Sequence, residues 1–441
     1  LLLIMKSPFK HIWDAYPGEV PPGNVPADGR GLNPLLQNFW MIAHPPVLFV
    51  GFAAMAVPFS FAVTALWRRT FSEWLQNALP WVLFGVLALG AGLMLGGYWA
   101  YGVLGWGGWW GWDPVENSSL IPWITGAALI HTMIVQKKTG KLMRTNFFLA
   151  ILTFLLVIYS TFLTRSGILG SASVHSFTDP GTLVYTLLVL WMGSMGVLGF
   201  GLMARRWKQM KALAQSTGLI TRESFLTIGA ALMGASALVI FFGTSWPIIA
   251  NASVEPSFYD RVNLPVAVLM ALVLGFSLKL RWQQESRKEL LRQIVFPLVA
   301  SAGALALLML SGVRDWWIGL LGFSAFFTFF INAEVIYHLV KENPRLLGGP
   351  LAHVGFALLL LGIIGSGHYG QKQAVSLPLS QRQEVFGHRL TYTGAQPTED
   401  GKWKFVVKVE KDGKTFQLEP VMFRNSYNDN IMRNPDYVSS L

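Results

Sequence analysis

The groups in this chain whose types and spacing could do chemistry are four histidines, a run of tryptophans and a few charged residues beside them. Residues 96–123 read GGYWAYGVLGWGGWWGWDPVENSSLIPW, with six tryptophans, two tyrosines and seven glycines. Indole and phenol rings are expected where a bilayer meets water, because one part of the ring is apolar and the other end is wet. Anchoring of that kind does not need Trp106, Trp109, Trp110 and Trp112 spaced by glycine. The run suits a shelf of rings that receives a flat ligand, and a thick aromatic belt is the plain alternative. His44 precedes Pro45-Pro46, and His175 lies in the loop SVHSFTDP. Two neutral imidazoles and an aromatic floor would suit heme, with a nitrogen ligand on each face of the iron. His44 as a helix-entry residue and His175 as a surface loop residue are the competing readings.

His131 and His353 fall inside apolar stretches, where an ionisable side chain is costly and usually functional. A bis-histidine heme between two helices needs two imidazoles at one depth. Two unrelated polar residues bonded to backbone are the alternative. His338 competes for this inner role. His11 has no evident partner, and His368 and His388 read as exposed residues of a β segment. Arg165, near His175, could hold a heme propionate bidentately or snorkel to the interface. Asp113, Pro114 and Glu116 fit the N-cap, N1 and N3 positions of a capping box, so Asp113 is expected to start a helix. Capping leaves it free to shape the tryptophan loop as well.

The elements that must position these groups are membrane spans. The chain is 53% hydrophobic and only 13% charged, against about 25% charged in a soluble domain. Hydropathy places ten spans near 46–67, 78–98, 118–136, 147–164, 182–204, 226–246, 263–281, 294–312, 317–340 and 350–367. The net charge of +11 would suggest nucleic acid in a soluble protein. Here Lys and Arg gather in the loops after the first, third, fifth, seventh and ninth spans, which orients those loops to the cytoplasm and makes nucleic acid an unneeded partner. His44, His175 and the tryptophan loop then share the outer side, and His131 and His353 share the inner leaflet. There is no cysteine, so any thiol chemistry belongs to a partner and no disulfide staples the outer parts.

Residues 369–441 alternate apolar and polar side chains, as at Trp403, Phe405, Val407 and Val409. Glu399-Asp400-Gly401 and Asp412-Gly413 read as turns between strands. The expected fold is an all-α polytopic membrane protein with a small extracytoplasmic β domain. Its parts are 1–45 (a partial helix and an outer loop), 46–367 (the helical core) and 368–441 (the β domain). Residues 1–5 read as the end of an apolar span, so the sequence is expected to be a piece of a longer protein, and it could be cut short at Leu441 too.

The tryptophan loop resembles the WWD signature of the heme-handling family of cytochrome c biogenesis. GGWWGWDPVENSSLIPW, with HPP at His44, SVHSF at His175 and Ala352-His353, is most similar to the membrane subunits of the bacterial multi-subunit heme lyase, of the maturation-protein-F type. Gly111 departs from the pattern, which favours a bulkier aromatic there. The resemblance implies a heme lyase in the bacterial inner membrane. His44 and His175 would be axial ligands of an incoming heme substrate, brought by a heme chaperone and faced by Trp106, Trp109, Trp110, Trp112 and Asp113. His131 and His353 would be axial ligands of a resident heme b that keeps the incoming iron ferrous. Partners would be the holo heme chaperone, apocytochrome c with its CxxCH motif, and a docking subunit that handles its thiols, with quinol a candidate electron source. The reaction would join two vinyl groups to two thiols. Rival readings are a single-chain cytochrome c synthase, whose loop differs after Asp-Pro, a heme transporter or chaperone loader, and a general transporter with an aromatic gate. The last lacks the matching pair of Gly/Pro-broken spans it would need.

Overall fold

The computed structural model describes residues 9–25, 36–103, 108–169, 173, 175, 181–210, 218, 220–250, 252, 254–283, 286–398, 401–424 and 431–438. Among them, ten helices are long and apolar enough to cross a membrane. They are α1 (Phe39–Arg68), α2 (Trp74–Val103), α3 (Pro114–Thr139), α4 (Met143–Arg165), α5 (Thr182–Arg206), α6 (Arg222–Ala250), α7 (Pro256–Lys279), α8 (Arg287–Leu310), α9 (Trp316–Glu342) and α10 (Gly348–Tyr369). All ten expected spans are present, most of them longer at one or both ends than hydropathy alone indicates. The extra turns are semi-polar and closed by caps. Asn38 accepts from the Trp40 N–H before α1, and Gly140, at a φ of 74°, ends α3 in the left-handed conformation that glycine takes without strain. His368, expected in the β segment, instead lies in the last turn of α10, which runs on to Tyr369.

Two packed cores are joined by α3, α6 and α7. In the first, Phe59, Leu66, Trp74, Met133, Phe147 and Ile151 of α1 to α4 interlock. In the second, Val268, Ala271, Leu321, Ala325, Leu360 and Ile364 join α7, α9 and α10. Ile121, Leu156, Ala237, Ile240 and Tyr259 form the seam between them. α3 and α4 are also tied by a polar ladder with sevenfold spacing. Ser118 meets Ser160 at 2.8 Å, Thr125 meets Thr153 at 3.0 Å, and Asn146 donates to the Thr132 carbonyl at 3.2 Å and to Gln136 Oε1 at 2.6 Å. A heptad repeat keeps its positions on one helix face, and an apolar surround makes each rung preferable to an unpaired hydroxyl.

The C-terminal sheet is antiparallel in the order β1 (Arg382–Val385), β2 (His388–Pro397), β3 (Trp403–Lys411), β5 (Val421–Arg424), β6 (Ile431–Asn434), with β4 (Lys414–Leu418) also paired to β3. Asp412 and Gly413 both take positive φ, 49° and 76°, as the expected two-residue hairpin requires. Val407 and Val409 are buried, whereas Trp403 is exposed. Glu399 and Asp400 of the other expected turn lie outside the described residues.

Candidate functional site

The chain brings its four singled-out histidines together in two clusters. In the first, α1 presents His44, whose Nδ1 lies 2.7 Å from the Gly92 carbonyl of α2. One turn on, a Cβ at Gly96 would come within 2.6 Å of the His44 ring, so a residue without a side chain lets α2 close on the imidazole. Asp113 caps α3 as expected, accepting from the Val115 and Glu116 N–H groups at 2.8 and 3.3 Å. The same Oδ1 accepts from Ser173 Oγ at 2.7 Å and from His175 Nδ1 at 3.1 Å. One carboxylate therefore starts a helix and fastens the His175 segment to it. Glu116 reaches back to the Gly111 N–H at 3.0 Å, and Asn117 donates to the Trp112 carbonyl at 3.1 Å. Trp99 of α2 meets the His175 ring edge-on at 5.5 Å. His44 and His175 are thus both set against α2, at Gly96 and at Trp99 three residues on.

Burial would raise the Asp113 carboxyl, but the hydrogen bond and charge of His175, with the Ser173 and Val115 donors, outweigh it and hold the group below its ordinary value of 3.8. Burial would lower His175, but the Asp113 hydrogen bond and charge, helped by Glu116, outweigh that and raise it above 6.5. With Nδ1 donating to a carboxylate, the neutral ring keeps its lone pair on Nε2, the tautomer that a carboxylate fixes in metal-ligating histidines.

The tryptophans do not share one plane. Trp109 stacks on Tyr101 at 5.7 Å and meets Tyr98 edge-on. Trp112, at a φ of 54°, stacks on Tyr259 of α7 at 4.8 Å and donates from Nε1 to Asp260 at 2.8 Å. That backbone is costly for a bulky residue, and the stack and hydrogen bond hold it there. Trp110 stands at 88° to Trp112, and its buried Nε1 has no hydrogen-bond partner among the described residues. Trp106 lies outside the described residues. Arg165 ends α4, exposed.

The second cluster joins α3 to α10. The His131 and His353 rings lie with centroids 6.2 Å apart and planes 12° from parallel. A metal–imidazole bond is about 2 Å and the ring centre lies about 1 Å beyond the nitrogen, so two axial imidazoles on one iron stand about 6 Å apart. Each ring is also oriented through Nδ1, to the Ala127 carbonyl at 2.7 Å for His131 and to Asn332 Oδ1 at 3.2 Å for His353. That leaves Nε2 of each as the ligating nitrogen, and the residues present fit a bis-histidine heme. His338 is exposed, edge-on to Tyr337, and is no part of this pair. His388, expected to be exposed, is half-buried with Nδ1 3.0 Å from the Phe386 carbonyl, and His11 stacks on Trp13 at 4.6 Å.

Asn332, Ser173, Tyr259 and Asp260 carry these two clusters without standing out in the sequence, and Trp99 stood only as one ring of the tryptophan stretch. Of those four, Asn332 left a trace there, as an amide in the middle of the span FFINAEV.

The model of the family described as Cytochrome C assembly protein matches residues 18–169. The chain is 33% identical to the cytochrome c-type biogenesis protein CcmF of Pseudomonas aeruginosa, over 94% of this chain and 64% of that protein. It is 38% identical to the cytochrome c-type biogenesis protein ccl1 of Rhodobacter capsulatus, over 84% of this chain and 59% of that protein. A solved structure of the cytochrome c heme lyase CcmF matches with a TM-score of 0.73 and 29% identity, over 90% of this chain and 64% of that one. The chain thus spans less than two thirds of the length of each of these relatives. Sequence identity of this order over helices and sheet alike, with the same fold, means that the chain belongs to the cytochrome c assembly family, among the CcmF-type biogenesis proteins.

Proposed function

We propose that this chain is the heme-handling part of a cytochrome c heme lyase. The observation that carries the proposal is the nearly parallel ring pair of His131 and His353, whose centroid separation of 6.2 Å matches two imidazoles on one iron. Those two residues would hold a resident heme b, which when bound supplies an electron that keeps substrate iron ferrous. His44 and His175 would be the axial ligands of the incoming heme, handed over by a heme chaperone. Trp106, Trp109, Trp110 and Trp112 would flank that heme, and Arg165 would pair one of its propionates.

In this reading the protein contributes position and electrostatics. The Asp113 carboxylate orients His175 and fixes its tautomer. The Trp112–Tyr259 stack fixes the loop against α7. An apocytochrome and its docking subunit would bring reduced CxxCH thiols to the same face. Each S–H then adds across one vinyl group, forming a C–S bond at one carbon and a C–H bond at the other, with nothing released. Holding the vinyl carbons and thiols in register is the main barrier that such a site removes. The loop clusters and the sheet would lie on the extracytoplasmic side of the cytoplasmic membrane, with residues 46–367 as the spanning core and 368–441 as the outer domain.

The test is spectroscopic. Purified wild-type chain should show a low-spin spectrum with two imidazole ligands, and a pyridine hemochrome should report b-type heme. His131→Ala and His353→Ala should each abolish that spectrum, and its survival in both would refute the inner assignment. His44→Ala and His175→Ala should keep it while cytochrome c assembly stops. If those two strains deliver heme normally to the chaperone or the cytochrome yet form no thioether, the outer histidines act in attachment rather than transport.

A further inference from the structure

Arg222 opens α6 at the same end of the bundle as the His131–His353 pair. Its backbone N–H donates to the Arg281 carbonyl at 2.8 Å, just past the end of α7, which pins the residue in place. The guanidinium lies 5.7 Å from the Trp282 ring centre. The Nε is buried and has no hydrogen-bond partner among the described residues. The neighbouring carboxylate does not serve it, because Glu223 is taken by Lys141 Nζ at 3.0 and 2.9 Å. Among the described residues no acidic group pairs with Arg222. The residue is half-buried, and a guanidinium whose Nε is sealed from water without an acceptor loses hydration that nothing replaces. A guanidinium so fixed leaves room for an acceptor that the described residues do not supply.

We propose that Arg222 is the counter-ion of a propionate carboxylate of the resident heme, at the inner end of the His131–His353 site. The inference rests on the resident-heme reading given above. Three observations favour a carboxylate carried by the porphyrin. Arg222 opens α6 at the end of the bundle where α10, with His353 in its first two turns, also begins. The planar guanidinium suits a carboxylate through paired N–H donors. Heme is also the one ligand of that site whose own edge carries carboxylates. A phospholipid headgroup would offer the same anion chemistry from a different source, and the test separates the two.

The chain is produced in heme-deficient cells, purified in detergent and titrated with heme or with heme dimethyl ester, following the Soret band of the bis-imidazole form. Wild type should bind the ester about tenfold more weakly than heme, the size of one lost charge-assisted hydrogen-bond pair. Arg222→Gln should bind both forms alike, at the level of wild type with the ester. Its heme should also have a lower midpoint potential, because a nearby cation favours the more negative ferrous state. Arg222→Lys keeps the charge without the planar fork and should fall between. If wild type binds heme and ester equally, the anion comes from lipid or elsewhere and the proposal is overturned, with no variant needed. An ester penalty undiminished in Arg222→Gln overturns it too. His131→Ala is the separate control, because a low-spin spectrum that survives in it sinks the bis-histidine reading itself.

Discussion

At Asp113 one carboxylate serves three partners: the first turn of α3, Ser173 and His175. That economy gives the outer site a definite pH dependence. The raised folded pKa of His175 means that the stabilisation from its charge is complete below the unfolded value near 6.5 and is lost as pH rises through the folded pKa. The depressed pKa of Asp113 works in the opposite sense, present above 3.8 and lost as pH falls through the folded value. The ion pair is therefore strongest between those limits. Iron needs the neutral ring, however, so heme capture at the outer site should increase as pH rises above 6.5. Asp113→Asn removes the partner that raises His175 and should move this rise to lower pH, measured by heme titration in a His131→Ala background. A midpoint unchanged by Asp113→Asn would show that His175 titrates without its carboxylate. A similar argument applies to Asn332, which holds the His353 ring. Removing the group that orients a metal-ligating imidazole costs about 10–100-fold in affinity, so Asn332→Leu should lose b heme to apomyoglobin faster by that order while His131→Ala holds none. Sequence alone pointed to the histidines, because ionisable groups in spans are rare. It could not point to their partners, because an asparagine or a serine has many ordinary uses.

On the scale of elements, α3 is the member to which the rest is fitted. It carries Asp113 at its cap and His131 eighteen residues later, about 27 Å along the axis, so one rigid helix sets the separation of the two clusters. Its register against α4 rests on the ladder from Ser118–Ser160 to Asn146–Gln136. Hydrogen bonds between membrane helices average about 0.6 kcal/mol and reach about 1.7 kcal/mol. Ser118→Ala should therefore change thermal stability in detergent little. Asn146→Leu removes two donations at once and should cost about 1–2 kcal/mol, seen as a lower unfolding midpoint. Equal effects from the two would mean that the rungs do not bear on register. Hydropathy found all ten helices because a bilayer demands about twenty apolar residues per crossing. It missed their ends, which caps decide, and it could not show which neighbours the rings of the tryptophan loop meet. Trp112, read as part of a shelf, also stacks on Tyr259 and donates to Asp260, contacts made with a residue pair almost 150 positions away. The spacing of Ser118, Thr125 and Thr132 opposite Asn146, Thr153 and Ser160 was readable in principle, since both series step by seven. Nothing in the sequence, though, says that α3 and α4 face each other along those edges.

Across the whole molecule, charge and geometry divide the chain between two ends. Lys141 pairs with Glu223 where the α3–α4 turn meets the start of α6, and Arg222 joins Arg281 at the end of α7. At the opposite end Trp112 meets Asp260 at the start of α7, and Ser311 meets the Tyr369 hydroxyl, just before the chain enters the sheet. The basic loops share the first end, with Lys137, Lys138, Arg205, Arg206 and Lys341 beside it. Positive loops stay in the cytoplasm, so the sheet and the Asp113–His175 cluster should face outward. The absence of cysteine gives a clean background for testing this. Lys138 and Lys414 are both exposed, one at each end. In intact spheroplasts a membrane-impermeant maleimide should label Lys414→Cys at once and Lys138→Cys only after the membrane is opened. The reverse pattern would put the tryptophan loop in the cytoplasm, where an apocytochrome exported with reduced thiols never meets it, and the lyase reading would fail however well the two histidines fit an iron. Labelling of both variants before permeabilisation would mean that the number of crossings between residues 138 and 414 is even, which seven helices from α4 to α10 do not allow.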